Sequence, residues 1–141
     1  MKKILLMEDL PAHALDLIQQ LEAMGYDVTW ARDAAEALDH IDKAKFDVVV
    51  ADILVREGPN LTANGGVTLI GKIRASAIRI NVGKTQRPMP IIAISGKFRE
   101  RGKPNFLEET AIGVGADAAL PKPVDMERLH RLIEEMTQTH E

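Results

Sequence analysis

Five short apolar runs, separated by polar and turn-forming segments, recur along the 141 residues of the chain. The third run, residues 46–53, is rich in β-branched residues and closes on Asp52 and Ile53, as is typical of a strand buried on both faces of a parallel sheet. The sequence therefore predicts a buried strand that ends near a carboxylate. The runs that predict strands cover residues 4–7, 26–31, 46–53, 90–96 and 116–120.

Apolar residues at helical spacing fill the intervals between these runs. The first series consists of Leu15, Ile18 and Leu21, with Leu17 and Met24, and it stops at a glycine that is suited to a helix end. Similar series predict helices over residues 34–44, 67–77, 106–113 and 126–136, with Asp33 and Asp125 as N-caps. Five strands in strict alternation with five helices favour a parallel sheet that is covered by helices on both faces.

Composition narrows the class of protein. The chain is 45% hydrophobic and 28% charged, with a net charge of -3, which is ordinary for a globular domain and argues against disorder or wholesale nucleic-acid binding. Without cysteine, neither a disulfide framework nor thiolate chemistry is available. No apolar segment is long enough for a signal peptide or a membrane span, so we expect a cytoplasmic protein with no membrane partner. Residues 72–103 form a basic sector interrupted by one acid, Glu100, suited to an acidic partner or simply to solvated loops.

Polar residues follow the predicted strands at the points where four of them end. Glu8 and Asp9 follow the first strand, Asp52 closes the third, Ser95 closes the fourth and Lys122 follows the fifth. Because the carboxyl ends of parallel strands share one edge of the sheet, we expect these side chains to converge. Three neighbouring carboxylates require a shared proton or a divalent cation, and an all-oxygen set suits Mg²⁺. A lysine and a hydroxyl beside them suit an anion on Asp52, and aspartate can form an aspartyl-phosphate.

Five motifs follow one another along the chain: Glu8-Asp9, Asp52, Ser95-Gly96, Gly115-Ala116-Asp117 and Lys122-Pro123. In this order they resemble the receiver domain of two-component response regulators, and the resemblance covers essentially the whole chain. It implies a flavodoxin-like, doubly wound sheet of five parallel strands in the order 2-1-3-4-5. Because few residues follow the last predicted helix, we expect a single receiver domain over residues 1–141 with no output domain.

The resemblance also implies a role for each of these residues. Asp52 would accept a phosphoryl group from a sensor histidine kinase or a histidine phosphotransfer protein. Mg²⁺ would be bound by Asp9, Asp52 and the backbone carbonyl of Leu54, with Glu8 acting mostly through water. Ser95 and Lys122 would contact the phosphoryl oxygens, and the peptide bond between Lys122 and Pro123 would be cis.

The implied protein is a signalling phosphoacceptor with self-catalysed transfer and autodephosphorylation, not an enzyme with a substrate of its own. Its output would be contact with an unidentified effector protein, or a step in a phosphorelay. A weak homodimer is left open. Two other functions stay open beside this one. The first is an interaction module on the receiver fold that no longer cycles phosphate. The second is a Mg²⁺-dependent phosphatase, which is disfavoured because Leu54 occupies the place of the proton-transferring acid.

The chain departs from the family in two respects. Ala119 stands three residues before Lys122, where receivers usually carry an aromatic residue. We therefore expect signalling to pass through Ser95 and the loop over residues 96–105, or through Phe98 or Phe106 nearby. The connections over residues 56–65, 78–89 and 97–105 are longer than usual, and are expected either to shape the site or to be tolerated surface insertions. The histidines are assigned structural or solvated roles: His13, His40, His130 and His140.

Overall fold

A computed structural model of the protein describes residues 1–53, 55–57, 60–62, 64–82, 85–96 and 106–138. Five strands form one parallel sheet in the order β2-β1-β3-β8-β9, which is the predicted order 2-1-3-4-5 with two hairpins inserted along the chain. The predicted fold class is therefore confirmed. Within the described residues the strands are β1 (Lys3–Met7), β2 (Asp27–Ala31), β3 (Val48–Asp52), β4 (Val55–Glu57), β5 (Asn60–Thr62), β6 (Arg79–Val82), β7 (Thr85–Pro88), β8 (Ile91–Ser95) and β9 (Ala118–Pro121).

All five predicted helices are present. Asp33 and Asp125 are the N-caps of the second and fifth, where their carboxylates accept hydrogen bonds from the backbone N–H groups of Glu36 and Arg128. The third helix begins at Asn64, three residues before its predicted start. No helix in the described part of the chain is both long and apolar enough to cross a bilayer. The helices are α1 (Pro11–Ala23), α2 (Ala34–Lys43), α3 (Asn64–Ala75), α4 (Phe106–Val114) and α5 (Met126–Met136).

Two of the three long connections contain antiparallel hairpins, which corrects the expectation of plain loops. Strands β4 and β5 pair between β3 and α3, and β6 and β7 pair between α3 and β8. In β6, Ile80 and Val82 alternate with exposed residues and are buried in the core. This alternation before the sequence Gly83-Lys84 is a hairpin signal that a search for helical spacing overlooks. The third connection, residues 97–105, lies outside the described residues.

Alternate residues of the central strands enter two separate cores. Leu5 and Met7 of β1 pack towards α2, α3 and α4, whereas Ile4 and Leu6 pack towards α1 and α5. On α1 the buried residues are Ala14, Leu17 and Leu21. Leu15 is 57% exposed and Met24 is 38% exposed, contrary to the predicted apolar series, because the buried stripe of α1 lies one residue away from Leu15.

The motif Gly115-Ala116-Asp117 is structural and lies at the amino end of β9. Gly115 has a φ of 125°, a conformation that favours glycine, and its carbonyl accepts a hydrogen bond from Nε of Arg74. The carboxylate of Asp117 accepts from the Arg74 guanidinium and from the backbone N–H of Ile91. Arg74 thus fastens α3 to the starts of β8 and β9, which helps to set the positions of the opposite strand ends.

Strand register brings the predicted site residues together. Met7 pairs with Ala51, so the next residues, Glu8 and Asp52, are neighbours at the carboxyl edge of the sheet. Ser95 pairs with Pro121, and the backbone N–H of Lys122 donates to the Ser95 carbonyl at 3.0 Å. The convergence expected from the order of the strands is therefore present at this edge.

Candidate functional site

Three carboxylates form a compact cluster at the carboxyl edge of the sheet. Each of Glu8, Asp9 and Asp52 offers an oxygen, and these oxygens all lie within 4.8 Å of one another. Glu8 is completely buried and Asp52 is 4% exposed, while Asp9 is half-buried. Such a group of oxygens matches the hard ligands that Mg²⁺ and Ca²⁺ prefer in proteins, so the cluster has the chemistry of a divalent cation site.

The ammonium group of Lys122 bridges two of these carboxylates. Its Nζ donates to Oε2 of Glu8 at 2.6 Å and to Oδ2 of Asp52 at 2.8 Å, and the side chain is 16% exposed. Side chains two residues apart along a strand point to the same face of the sheet. The three residues of this network therefore lie on the face of Leu6, Val50 and Leu120, which pack towards α1 and α5. The result is a buried network of one cation between two anions.

Burial and charge shift the protonation of this network. Burial raises the pKa of Glu8 from 4.5 to about 7, and the negative charge of Asp52 adds to the rise while Lys122 opposes it. For Lys122, burial acts to lower the pKa, but hydrogen bonds to Asp52 and Glu8 outweigh it and the pKa is raised. Lys122 is therefore cationic at neutral pH, and Glu8 titrates close to neutrality.

Substituting Glu8→Gln is expected to stabilise the metal-free protein at pH 8. The folded protein holds the Glu8 proton more tightly than the unfolded chain does, so the contribution of neutral Glu8 is complete below pH 4.5 and is lost as pH rises towards about 7. Ionised Glu8 costs on the order of 3 kcal/mol, and glutamine gives up about 1 kcal/mol because its neutral amide oxygen is a weaker acceptor for Lys122 than a carboxylate. We expect a net gain of about 1 to 2 kcal/mol in the free energy of unfolding.

Urea unfolding in EDTA at pH 8 and at pH 4.5 measures this difference, which should disappear at the lower pH. The exposed Glu22 of α1 provides a matched control, since Glu22→Gln removes a carboxylate from the surface. A Glu8→Gln protein less stable than the wild type at pH 8 would contradict the assigned protonation.

Ser95 approaches the site from the other face of the sheet. It is completely buried and continues the row of Ile91 and Ala93, which packs towards α2, α3 and α4. Ala119 of β9 is half-buried against the same core. The peptide bond between Lys122 and Pro123 is cis, as expected. Leu54, whose carbonyl was expected to be a metal ligand, lies outside the described residues.

Two contacts of the site were not anticipated from the sequence. His13 in the first turn of α1 lies with its Nδ1 3.4 Å from Nζ of Lys122, although it was assigned a structural or solvated role. The indole Nε1 of Trp30, at the end of β2, donates to the backbone carbonyl of Glu8 at 2.8 Å. Trp30 is the single tryptophan of the chain, so its fluorescence can report on the carboxylate cluster. Both contacts join residues that lie on separate parts of the chain, which local spacing does not reveal.

Gly66, near the start of α3, lies directly against the backbone that follows Asp52. A Cβ atom at Gly66 would be 2.5 Å from the carbonyl oxygen of Asp52 and 2.7 Å from Cα of Ile53. Because both contacts are with backbone, neither can be relieved by a side-chain rotation. The absence of a side chain here lets α3 approach the end of β3.

We therefore expect Gly66→Ala to lower the free energy of unfolding by about 2 to 3 kcal/mol. Gly71 of the same helix is the matched control, since nothing lies within 4 Å of a Cβ placed there. Gly71→Ala should raise stability by about 0.5 to 1 kcal/mol through helix propensity alone. Thermal unfolding of the two variants gives opposite signs if the close approach is real, and equal signs would contradict it.

Comparison with known proteins agrees with this geometry. A sequence model of the family described as "Response regulator receiver domain" matches residues 4–134. The chain belongs to the response regulator receiver family. The sensor histidine kinase RcsC of Salmonella typhi is 27% identical to this receiver domain over 130 residues, or 92% of the chain. The chain spans 12% of the length of that relative.

Solved receiver structures share the fold. A two-component response regulator from Clostridium difficile has a TM-score of 0.73 and 23% identity, with 96% of this chain and 95% of the other covered. The receiver domain of the sensor histidine kinase PA1611 from Pseudomonas aeruginosa PAO1 has a TM-score of 0.72 and 24% identity, covering 96% and 97%. That structure is described with a magnesium ion coordinated in its active-site cleft. At this identity, the likeness establishes the fold.

The carboxylates of this receiver domain fit a divalent cation. Glu8, Asp9 and Asp52 bring three oxygens within 4.8 Å, while the described residues bring one ammonium, that of Lys122, to two of them. Three carboxylates therefore stand against one ammonium, and burial together with the negative charge of Asp52 raises the pKa of Glu8 despite Lys122. A cation of the Mg²⁺ type would supply the missing charge and take oxygen ligands.

Proposed function

We propose that this receiver domain accepts a phosphoryl group on Asp52 in a Mg²⁺-dependent reaction. The observation that carries the proposal is the position of Asp52, whose Oδ2 lies 2.8 Å from Nζ of Lys122 and whose carboxylate belongs to the Glu8 and Asp9 cluster. A nucleophile that has both a candidate cation site and an ammonium beside it matches the needs of phosphoryl transfer, in which negative charge must be held and aligned.

The proposed step is a displacement at phosphorus. An Oδ atom of Asp52 forms a bond to the phosphorus atom, and the bond from phosphorus to the donor breaks, with its electron pair leaving on the donor. Lys122 donates hydrogen bonds to the phosphoryl oxygens, and the hydroxyl of Ser95 is assigned the same task from the opposite face of the sheet. Burial of Asp52 and Ser95 keeps most water away from the product, an aspartyl-phosphate.

Glu8, Asp9 and Asp52 are the residues assigned to hold Mg²⁺, together with the carbonyl of Leu54 on the evidence of family resemblance alone. When bound, the ion neutralises charge on the phosphoryl oxygens and helps to orient the group. A protein described with magnesium in the corresponding fold supports this assignment. The phosphodonor is proposed to be a sensor histidine kinase or a histidine phosphotransfer protein, since the matched curated relative is itself a sensor histidine kinase.

Output is proposed to be contact with a partner protein that distinguishes the phosphorylated state. Because residue 119 is alanine, β9 has no aromatic side chain at this position that could move in response to Ser95. The effect of phosphorylation must therefore reach the surface by another route. The added phosphoryl group brings about -1.5 to -2 charges to the site. The segment after Ser95 is the proposed responder because its sequence, residues 97–105, contains four Lys or Arg residues.

Incubation with acetyl phosphate and Mg²⁺, followed by borohydride reduction and peptide mass spectrometry, tests the proposal. We expect one phosphoryl group per chain, located at Asp52 and absent when EDTA replaces Mg²⁺. Labelling at another residue would overturn the assignment of Asp52. Absence of any labelling would favour the receiver-fold interaction module that does not cycle phosphate.

A further inference from the structure

Lys122 has a third acceptor besides the two carboxylates. A lysine ammonium carries three N–H donors. Glu8 and Asp52 accept two of them at 2.6 Å and 2.8 Å, and Nδ1 of His13 lies 3.4 Å from the same nitrogen. The imidazole comes from α1, an element separate from the strands that carry the carboxylates. Each N–H of the ammonium therefore has an acceptor on a different element or strand end.

His13 stands where the buried network meets solvent. It is exposed, whereas Lys122 is mostly buried and Glu8 is completely buried. With Leu17 and Val124 it lines a cleft of about 630 Å³ between α1 and the segment that joins β9 to α5. His13 can thus act on Lys122 from outside the carboxylate cluster and without contributing to the core.

We propose that His13 is a positioning residue that orients the ammonium of Lys122 during phosphoryl transfer. This inference rests on the proposed function of Asp52. To accept from Lys122, neutral His13 must present the lone pair of Nδ1 and carry its proton on Nε2. When a phosphoryl group reaches Asp52, Lys122 exchanges its bond to Asp52 for one to a phosphoryl oxygen, while Glu8 and His13 retain the other two N–H groups.

If His13 orients Lys122, removing the imidazole acceptor should slow phosphoryl transfer. Without His13, two carboxylates alone hold the ammonium, and its third N–H turns towards water. The N–H that should meet the phosphoryl oxygen is then no longer fixed in direction. A hydrogen bond from this ammonium to a neutral imidazole, 3.4 Å long and exposed to solvent, is worth a factor of about two to ten. The loss of rate should fall on the transfer step and leave Mg²⁺ binding unchanged, since His13 is not among the residues that form the candidate cation site.

Three substitutions at His13 test whether an acceptor at the position of Nδ1, and not merely a side chain of similar size, is needed to orient Lys122. His13→Asn places an amide oxygen where Nδ1 lies, His13→Gln places it one bond further out, and His13→Leu removes the acceptor. With acetyl phosphate and saturating Mg²⁺, we expect the maximal labelling rate to fall about two- to tenfold for the leucine and glutamine variants. The asparagine variant should recover to within about twofold of the wild type.

Two further measurements identify the route of the effect. The half-saturating acetyl phosphate concentration and the Mg²⁺ affinity, read from Trp30 fluorescence, should stay unchanged in all three variants. In a Lys122→Met background, His13→Leu should produce no further loss, since its action passes through Lys122. A fall in Mg²⁺ affinity that parallels the rate, or a full additional loss in the double variant, would overturn the inference.

Labelling of the wild-type protein distinguishes a failure of the His13 role from a failure of the proposed function of Asp52. If the wild type is not labelled at Asp52, the proposed function fails whatever the His13 variants do. If the wild type is labelled and His13→Leu is labelled at the same maximal rate, the positioning role fails and the proposed function stands. Equal losses in the asparagine and leucine variants would likewise overturn the positioning role.

Discussion

Replacing Asp52 with asparagine is expected to abolish phosphoryl labelling of the protein. The amide has nearly the shape of the carboxylate, and its oxygen can still accept from Lys122, so the fold and the bridge to Glu8 should survive. The amide oxygen is too weak a nucleophile to displace a leaving group from phosphorus. We expect no mass increase with acetyl phosphate and Mg²⁺ under conditions that label the wild type completely.

Asp47 provides a matched control for this loss. It stands directly before the first residue of β3, at the opposite end from Asp52, and its carboxylate accepts from the backbone N–H of Lys3 at 2.7 Å. Asp47→Asn makes the same change of charge in the same part of the sequence, and should be labelled like the wild type. Equal labelling of the Asp52→Asn and wild-type proteins would remove Asp52 from the mechanism.

Replacing Lys122 with methionine should impair both transfer and stability. Loss of a preorganised donor to the phosphoryl oxygens is expected to slow labelling about a hundredfold. Glu8 and Asp52, both almost fully buried, would also lose the cation that neutralises them. Removing one partner of such a buried network costs about 3 kcal/mol in the free energy of unfolding at pH 8 without metal.

The stability lost in the Lys122→Met protein should be smaller under two conditions, because each of them neutralises negative charge on the buried carboxylates. At pH 5 a proton neutralises Glu8, whose pKa is already raised to about 7 in the wild type, and at pH 8 a divalent cation can take over part of the role of the ammonium. Urea unfolding at the two pH values, with EDTA or Mg²⁺, measures both effects. Lys43→Met is the control, because Lys43 is 71% exposed and pairs with Asp39 at the surface.

Wild-type labelling kinetics in the Lys122→Met protein would contradict the role of Lys122 at the phosphoryl group. Unchanged stability at pH 8 would show that the two ion pairs are absent in solution. The two measurements are independent, so the mechanistic role and the structural role of this lysine can fail separately.

Much of the candidate site could be predicted because strand ends follow a simple rule. A buried parallel strand must end at the same edge as its neighbours, so Glu8, Asp52 and Lys122 were expected to meet before any distance was known. Their chemistry follows from residue type alone, since carboxylates bind hard cations and an ammonium neutralises them. The function assigned to them stays a prediction until labelling tests it.

Other features depend on contacts between distant segments. Leu15 was placed on the buried face of α1, but the rotation of the helix on the sheet buries Ala14 and Leu17 and leaves Leu15 exposed. The hairpin of β6 and β7 was expected to be a loop, because its alternating pattern covers only four residues of β6 and a search for helical spacing overlooks it. Burial of Ile80 and Val82 in the core stabilises this short strand, and that packing lies outside the local pattern.

Hydrophobic periodicity predicted the alternation of strands and helices, and residue types identified the groups at the carboxyl edge of the sheet. Both are local properties of the chain, whereas the order of the strands was implied by the family resemblance. The bridge of Lys122 between Glu8 and Asp52, the raised pKa of Glu8, and the approach of His13 and Gly66 to the site are known only from the packing of the folded chain. Those properties depend on distances of a few ångströms between separate elements, and on the burial that their packing creates.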